Sequence, residues 1–220
     1  MIDFVAARKK MVENQLRTTS ITDRRLLSVM AQVPREIFVP EARRELAYID
    51  EAHVLPASGE PRYLPAPAPF GRLVQLARIN TDDAVLDLGC GTGYSTAVLA
   101  ELAVRVVAVE SDVALAEEAR RNLASLGLDN AQIVQGPIEA GAPSEGPFDV
   151  IILDGAVEVV PEGLFGQLAE GGRLVALVRQ GAAAVAHLFV RSGADVAGKA
   201  EFNTTLPPLP AGKAPREFVF

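Results

Sequence analysis

The stretch VLDLGCGTGYSTAVLA, residues 85–100, joins an apolar run, three closely spaced glycines and a segment with helical spacing. An apolar run that stops at glycines reads as a buried strand, and the glycines allow a tight turn into the helix that follows. Turns of this kind cradle nucleotide-containing ligands, because backbone N–H groups gather at the start of the helix. To either side, apolar runs at 84–88, 104–109, 131–134, 148–153 and 173–178 alternate with helical patterns at 92–103, 112–126, 161–169 and 181–191. Apolar runs separated by helices are the sequence form of a parallel sheet covered on both faces.

The spacing of the glycines bears on the ligand. Dinucleotide sites use G-x-G-x-x-G, whose third glycine lets helix and strand pack closely. Gly89, Gly91 and Gly93 instead give G-x-G-x-G, and Tyr94 stands where the third glycine belongs. Asp87, two residues before the loop, would repel a pyrophosphate and welcome a cation. S-adenosylmethionine has no phosphate and carries an ammonium and a sulfonium, so Asp87 and the spacing favour it over NAD. Glu110 ends the next apolar run, where an acid can accept from both hydroxyls of a ribose in either cofactor. Cys90 reads as a small filler, since no histidine lies near it in sequence. His53 and His187 are the only histidines and are far apart, so no metal site is expected.

Upstream, residues 3–17 and 22–32 read as helices, the second capped by Thr22 or Asp23, with Leu26, Leu27, Val29, Met30 and Val33 at helical spacing. The proline-rich segment 54–69 is expected to be irregular, and helix resumes at 70–79. Late strands are expected in DVAGKAEFNTT (195–205) and REFVF (216–220). The reading is a helical extension over residues 1–80, packed on a Rossmann-like core over residues 81–220 near the carboxyl ends of its strands, where such sheets hold ligands.

Composition restricts the partners. The 220 residues carry a net charge of −7, which argues against a nucleic-acid partner held by its phosphates. Residues 1–45 run the other way, with nine Lys/Arg against six Asp/Glu, which reads as solvated helix faces. Arg35 and Arg43 are candidates for an anionic substrate, with a surface role the plainer reading. No apolar run approaches the roughly 20 residues of a membrane span. The charged N-terminus lacks a signal-peptide core, and a lone cysteine makes no internal disulfide, so the expected location is the cytoplasm. The oligomeric state stays open.

The glycine loop and its flanks resemble motif I of class I S-adenosylmethionine-dependent methyltransferases. MVENQLRTTSITDRRLLSVMAQVPREIFVP, followed by AYIDEA, resembles the start of protein-L-isoaspartate O-methyltransferases, and PFDVIILDGAVEVVPEGLFGQLAEGGRLVALV is similar to the same family. The resemblance implies methyl transfer to the α-carboxylate of L-isoaspartyl residues in proteins or peptides. It implies a seven-stranded, mostly parallel sheet with one antiparallel strand and helices on both faces. It also implies a cofactor-binding set of Asp87, Gly89, Cys90, Gly91, Thr92 and Gly93, with Glu110 and Ser111 at the ribose and Pro137 at the adenine side. No catalytic residue is singled out.

The chain departs from the family in three places. Pro65 and Pro67 stand where the family has Thr and Ser, and only Pro69 of that stretch matches. Gly136-Pro137-Ile138 replaces Gly-Asp-Gly, and Asp154 stands where an uncharged residue is usual; a cap is the plain reading of Asp154, an amine site or a base the sharper one. These departures leave a diverged methyltransferase acting on another small molecule or protein group, or a non-catalytic S-adenosylmethionine-binding protein, as alternatives. An NAD-dependent oxidoreductase is a distant one.

Overall fold

The computed structural model describes residues 2–181 and 183–214. The predicted strand at residues 216–220 lies outside them. Nine strands and five α-helices are found among the described residues. The central sheet holds β3 (Ala84–Leu88), β4 (Arg105–Glu110), β5 (Ala131–Gln135), β6 (Phe148–Val157), β7 (Leu168–Gln180), β8 (Ala183–Ser192) and β9 (Asp195–Asn203), in the order β5-β4-β3-β6-β7-β8-β9. The first five run parallel, and β8 alone runs against them, pairing antiparallel with β7 and β9. Chain order reverses between β3 and β6. That reversal opens a crevice at the carboxyl ends of the strands, the place where open α/β sheets bind ligands.

Local chemistry accounts for the helices. In α2 (Arg24–Met30) the Asp23 carboxylate accepts from the N–H groups of Arg25 and Leu26 at 2.9 and 3.1 Å, so Asp23 is the cap and Thr22 is not. In α5 (Val113–Ser125) Asp112 caps through Leu115, and Leu115, Ala116, Ala119 and Leu123 bury one face. The first helix is continuous over the predicted span but irregular: α1 covers Phe4–Met11 and runs on through a π turn at Val12–Leu16 and a 3-10 turn at Arg17–Thr19. The helix before the glycine loop, α3 (Pro67–Ala77), starts earlier than expected because Pro67 sits in its first turn, where a missing N–H costs nothing. The helix after the loop, α4, is Tyr94–Ala100.

Three expectations fail. Residues 54–69 are not irregular: β1 (His53–Leu55) pairs antiparallel with β2 (Arg62–Leu64), and α3 begins at Pro67. Prolines at 56 and 61 flank the paired residues and so remove no hydrogen bond from the short ladder. The helix predicted at 161–169 is a single 3-10 stretch at Glu162–Gln167, after which β7 starts at Leu168. The helix predicted at 181–191 is the strand β8, in which His187 pairs with Ala176 and Ala200. Its alanines suggest helix, but the hydrogen-bonding edge of β7 captures the segment, and tertiary pairing outweighs propensity.

The sheet therefore has two unlike faces. Val85, Val106, Ala108, Val150, Ile152 and Val175 join α3, α4, α5 and the N-terminal segment in one continuous core that reaches back to Met11 and Leu16. On the opposite face Leu86, Leu88, Val107, Val109 and Leu153 are covered by Leu164, Leu168, Leu209 and Ala211, which come from a 3-10 turn, β7 and the chain's late segment.

Candidate cofactor and acceptor site

Strand register brings the singled-out residues together. Leu88 pairs with Val109 on one side and Leu153 on the other, so Gly89, Glu110 and Asp154 each follow at neighbouring strand ends. The pairing of β6 with β7 is irregular between Ile152 and Ala156, and Asp154 and Gly155 lie in that break. Gly89, Gly91 and Gly93 have φ of 86°, 56° and 96°, the left-handed region that favours glycine. At Gly93 there is a second reason: a Cβ would stand 3.1 Å from Ala119 Cβ, so the turn must hug α5.

Asp87 is fully buried, and its Oδ2 accepts from the Ser95 and Thr96 hydroxyls, both at 2.7 Å. Its Oδ1 has no partner. Burial pushes its carboxyl up to about 6, against the pull of the two hydroxyls. Glu110, also fully buried, accepts at Oε2 from Gly91 N–H at 2.7 Å and at Oε1 from Asp112 N–H at 3.0 Å. Ser111 adds a hydroxyl at 3.4 Å from Oε1. The Thr92 hydroxyl donates to Phe38 O at 2.6 Å, which ties the loop to the N-terminal segment. Cys90 is buried, and burial pushes its thiol well up, so it stays protonated and packs as a filler. Pro137 is exposed and opens a 3-10 turn after β5.

Two residues differ from their plain readings. Arg35 is no surface residue: it is fully buried, donates to Ala47 O and Pro65 O at 2.8 and 2.6 Å, and lies over the Tyr94 ring at 4.7 Å. Its Nη1 has no partner. Arg43 is exposed. Asp154 is no cap either; it is buried, its Oδ1 is unpartnered, and burial together with the nearby Asp87 raises its carboxyl well above the usual range. The free polar atoms of Asp87, Asp154, Arg62, Arg35 and Tyr94 belong to buried side chains that lie within electrostatic reach of one another. Buried polar atoms without partners are rare in folded proteins, and such a concentration is what a ligand site leaves open.

The donor set fits S-adenosylmethionine. The Asp87 Oδ1 is free to accept from an ammonium, the glycine loop brings its backbone close, and Glu110 offers a carboxylate at the next strand end. The space, however, is taken by the chain itself. Arg62 of β2 reaches over the loop and donates from Nη2 to Gly89 O at 2.8 Å and to Glu110 Oε2 at 2.7 Å. A Cβ on Gly89 would collide with Leu209 Cδ1, and one on Gly91 would stand 2.7 Å from Leu55 Cδ1. Sequence reasoning missed Arg62 and Leu209, because nothing local ties residue 62 to 110 or residue 209 to 89. Ser95 and Thr96 were missed too, although a polar pair at the start of an otherwise apolar helix is a local signal.

Comparison with known proteins places the chain. The family model for protein-L-isoaspartate(D-aspartate) O-methyltransferase matches residues 6–213. Protein-L-isoaspartate O-methyltransferase 1 of Syntrophobacter fumaroxidans is 41% identical over 175 residues, covering 80% of each chain. The Trichlorobacter lovleyi protein-L-isoaspartate O-methyltransferase is 43% identical over 80% of this chain and 79% of its own. A solved protein-L-isoaspartate O-methyltransferase superposes with a TM-score of 0.80 at 27% identity, over 93% of this chain and 66% of the other. A Plasmodium falciparum structure, described as a putative member in complex with S-adenosyl-L-homocysteine, shares the fold with a TM-score of 0.76 at 22% identity, over 92% of this chain and 97% of its own. With its family model matched almost end to end and its crevice built on the motif I loop, the chain belongs to the protein-L-isoaspartate(D-aspartate) O-methyltransferase family.

Proposed function

We propose that this protein is an S-adenosylmethionine-dependent methyltransferase that esterifies the α-carboxylate of L-isoaspartyl residues in proteins or peptides. One observation carries the reading: across a family match over residues 6–213, Asp87, the three left-handed glycines and Glu110 converge at the switch point of the sheet. When bound, the cofactor supplies a methyl group activated on a sulfonium. Asp87 would hold its ammonium and Glu110 its ribose, with Cys90, Thr92 and Ser111 shaping the loop around them. The acceptor carboxylate is already ionised at neutral pH, so the protein needs no general base. Its work is to align one oxygen with the methyl and the sulfur at about 3–3.5 Å and to keep water out. Arg35, with a free buried Nη1, is the group suited to steady an anionic acceptor. We read the location as cytoplasmic, supported by the lone cysteine; among the described residues no helix is long and apolar enough to cross a membrane.

The test is transfer of label from S-adenosylmethionine to a peptide containing L-isoaspartate, beside the same peptide with ordinary aspartate. A base-labile methyl ester on the isoaspartyl peptide alone is expected. Intact binding of S-adenosylhomocysteine with no transfer would move the reading to another acceptor. Pro65, Pro67 and Asp154 favour that second reading, since the first two remove hydroxyls and the third adds an acid beside the acceptor. A screen of cell extract with labelled donor would identify such an acceptor.

A further inference from the structure

We propose that Arg62 is an internal ligand of the ribose-binding carboxylate, so that the cofactor must displace it from Glu110 to bind. The proposal rests on the cofactor reading above and deepens it. Glu110 can serve a ribose only through its two oxygens, and both are engaged in this structure. Oε1 takes the Asp112 N–H, and Oε2 takes the Gly91 N–H and Arg62. The Gly91 and Asp112 amides belong to the site itself and hold the carboxylate in place. Arg62 alone comes from outside the core, from a hairpin 48 residues away in sequence. The pair is almost completely buried, with the Arg62 side chain 3% exposed and that of Glu110 0% exposed.

The surroundings describe a latch rather than a rigid plug. Strands β1 and β2 are three residues each and form a separate two-stranded sheet, too little to be stable on its own. Their connecting loop, with Ser58, Gly59 and Glu60 at its tip, is tied down at two points. Ser58 N–H donates to Asp112 at 2.6 Å, and Lys213 pairs with Glu60 at 2.6 Å. The second tie joins the hairpin to the late segment that carries Leu209 over Gly89. Leu209 is pinned in turn by its own N–H on Ala156 O at 2.8 Å and by Ala156 N–H on Pro207 O at 2.8 Å. An open cleft of about 480 Å3 is lined by Ser58, Gly59, Glu60, Arg62, Ser111 and Asp112 among others, so Arg62 borders it. Arg62 and Leu209 thus stand between solvent and the Glu110 and glycine-loop end of the site. A guanidinium swung outward into that cleft would regain water and uncover Glu110 and the glycine loop together. Arg62 also has an unpartnered Nη1, so the closed state leaves one of its donors unsatisfied and is easier to exchange for a ligand-bound state.

Calorimetry with S-adenosylhomocysteine on the full chain separates the possibilities, using the wild type, Arg62→Gln and Leu209→Ala. Glutamine removes the charge and the reach of the guanidinium, while the Gly91 and Asp112 N–H groups still donate to the Glu110 carboxylate. Leu209→Ala opens the other half of the lid without touching a charge. A latch predicts tighter binding in both variants, about tenfold or more for Arg62→Gln and severalfold for Leu209→Ala, because each removes a competitor. Folding of each variant is checked by circular dichroism, and either one alone suffices to read the sign. Binding by the wild type that is unchanged or weaker in the folded variants overturns the latch and leaves the methyltransferase reading standing. Binding by none of the three overturns both.

Discussion

Asp87 shows how one buried atom sets a pH dependence. Burial raises its carboxyl to about 6 from an ordinary 3.8, so in the cofactor-free chain the protonated form is the one that suits the fold. Its contribution to stability is complete below the ordinary value and is lost as pH rises through about 6. A ligand ammonium has the opposite preference, since it pairs only with the carboxylate. Glu110, Arg62 and Asp154 all lie within electrostatic reach of Asp87. Affinity for S-adenosylhomocysteine, followed by calorimetry, should therefore rise between about pH 5 and pH 7 and then level off. Asp87→Asn should bind more weakly and without that rise; a wild-type affinity flat over the same range would remove Asp87 from the ammonium site. Glu110 makes a different prediction. Glu110→Ala removes the buried counter-charge of Arg62, which costs up to about 3–5 kcal/mol and less where the guanidinium swings out into the cleft. Urea unfolding should show that loss as a lower midpoint, and the same variant should bind S-adenosylhomocysteine about 10- to 150-fold more weakly, the worth of charged hydrogen bonds to a ribose.

Among the elements, the segment between the two N-terminal helices and the hairpin does the joining. Phe38 is fully buried, meets the Tyr94 ring edge-on at 5.6 Å, and offers its carbonyl to Thr92 in the glycine loop. Tyr94, which stands where a dinucleotide fold has its third glycine, thus serves the packing. It fills the gap between α3, α4 and the N-terminal segment and carries the Arg35 guanidinium on its face. Phe38→Ala should lower stability by about 3–5 kcal/mol, the usual cost of emptying a buried aromatic site. A thermal melt that overlays the wild-type curve would show that this contact is peripheral. The helical patterns with a cap and a clean apolar stripe, at α2 and α5, were legible in the sequence because caps and stripes are local. Segment 181–191 was not, since an alanine-rich run takes its form from whichever edge it meets, and here it meets β7.

For the whole molecule, the continuous core that links Met11, Leu16, Met30 and Phe38 with Val85, Val106 and Val175 has a direct consequence. A chain lacking residues 1–60 would uncover the inner face of α3 and α4, besides losing the cover of the crevice. It should be insoluble, or soluble with little cooperative unfolding, when followed by circular dichroism and size-exclusion chromatography. A compact, cooperatively melting truncation would show the N-terminal segment to be an appendage.

Read as a line of residues, the chain already contains the parallel strands β3 to β7, the glycine turn with Asp87 before it, the acid at the end of the next strand and the family. Each of these depends on residues within a few positions of one another or on apolar periodicity, which a linear reading captures. Folding in three dimensions was needed to bury Arg35, to bring Asp154 near Asp87, to make β8 a strand, and to lay Arg62 and Leu209 over the loop. These depend on which segments meet across long stretches of chain, 48 residues for Arg62 and Glu110, and on how burial changes the energy of a charge. The glycine loop announces a ligand site locally; whether that site stands open or latched depends on a hairpin and a late segment whose residues carry no local sign of where they will land.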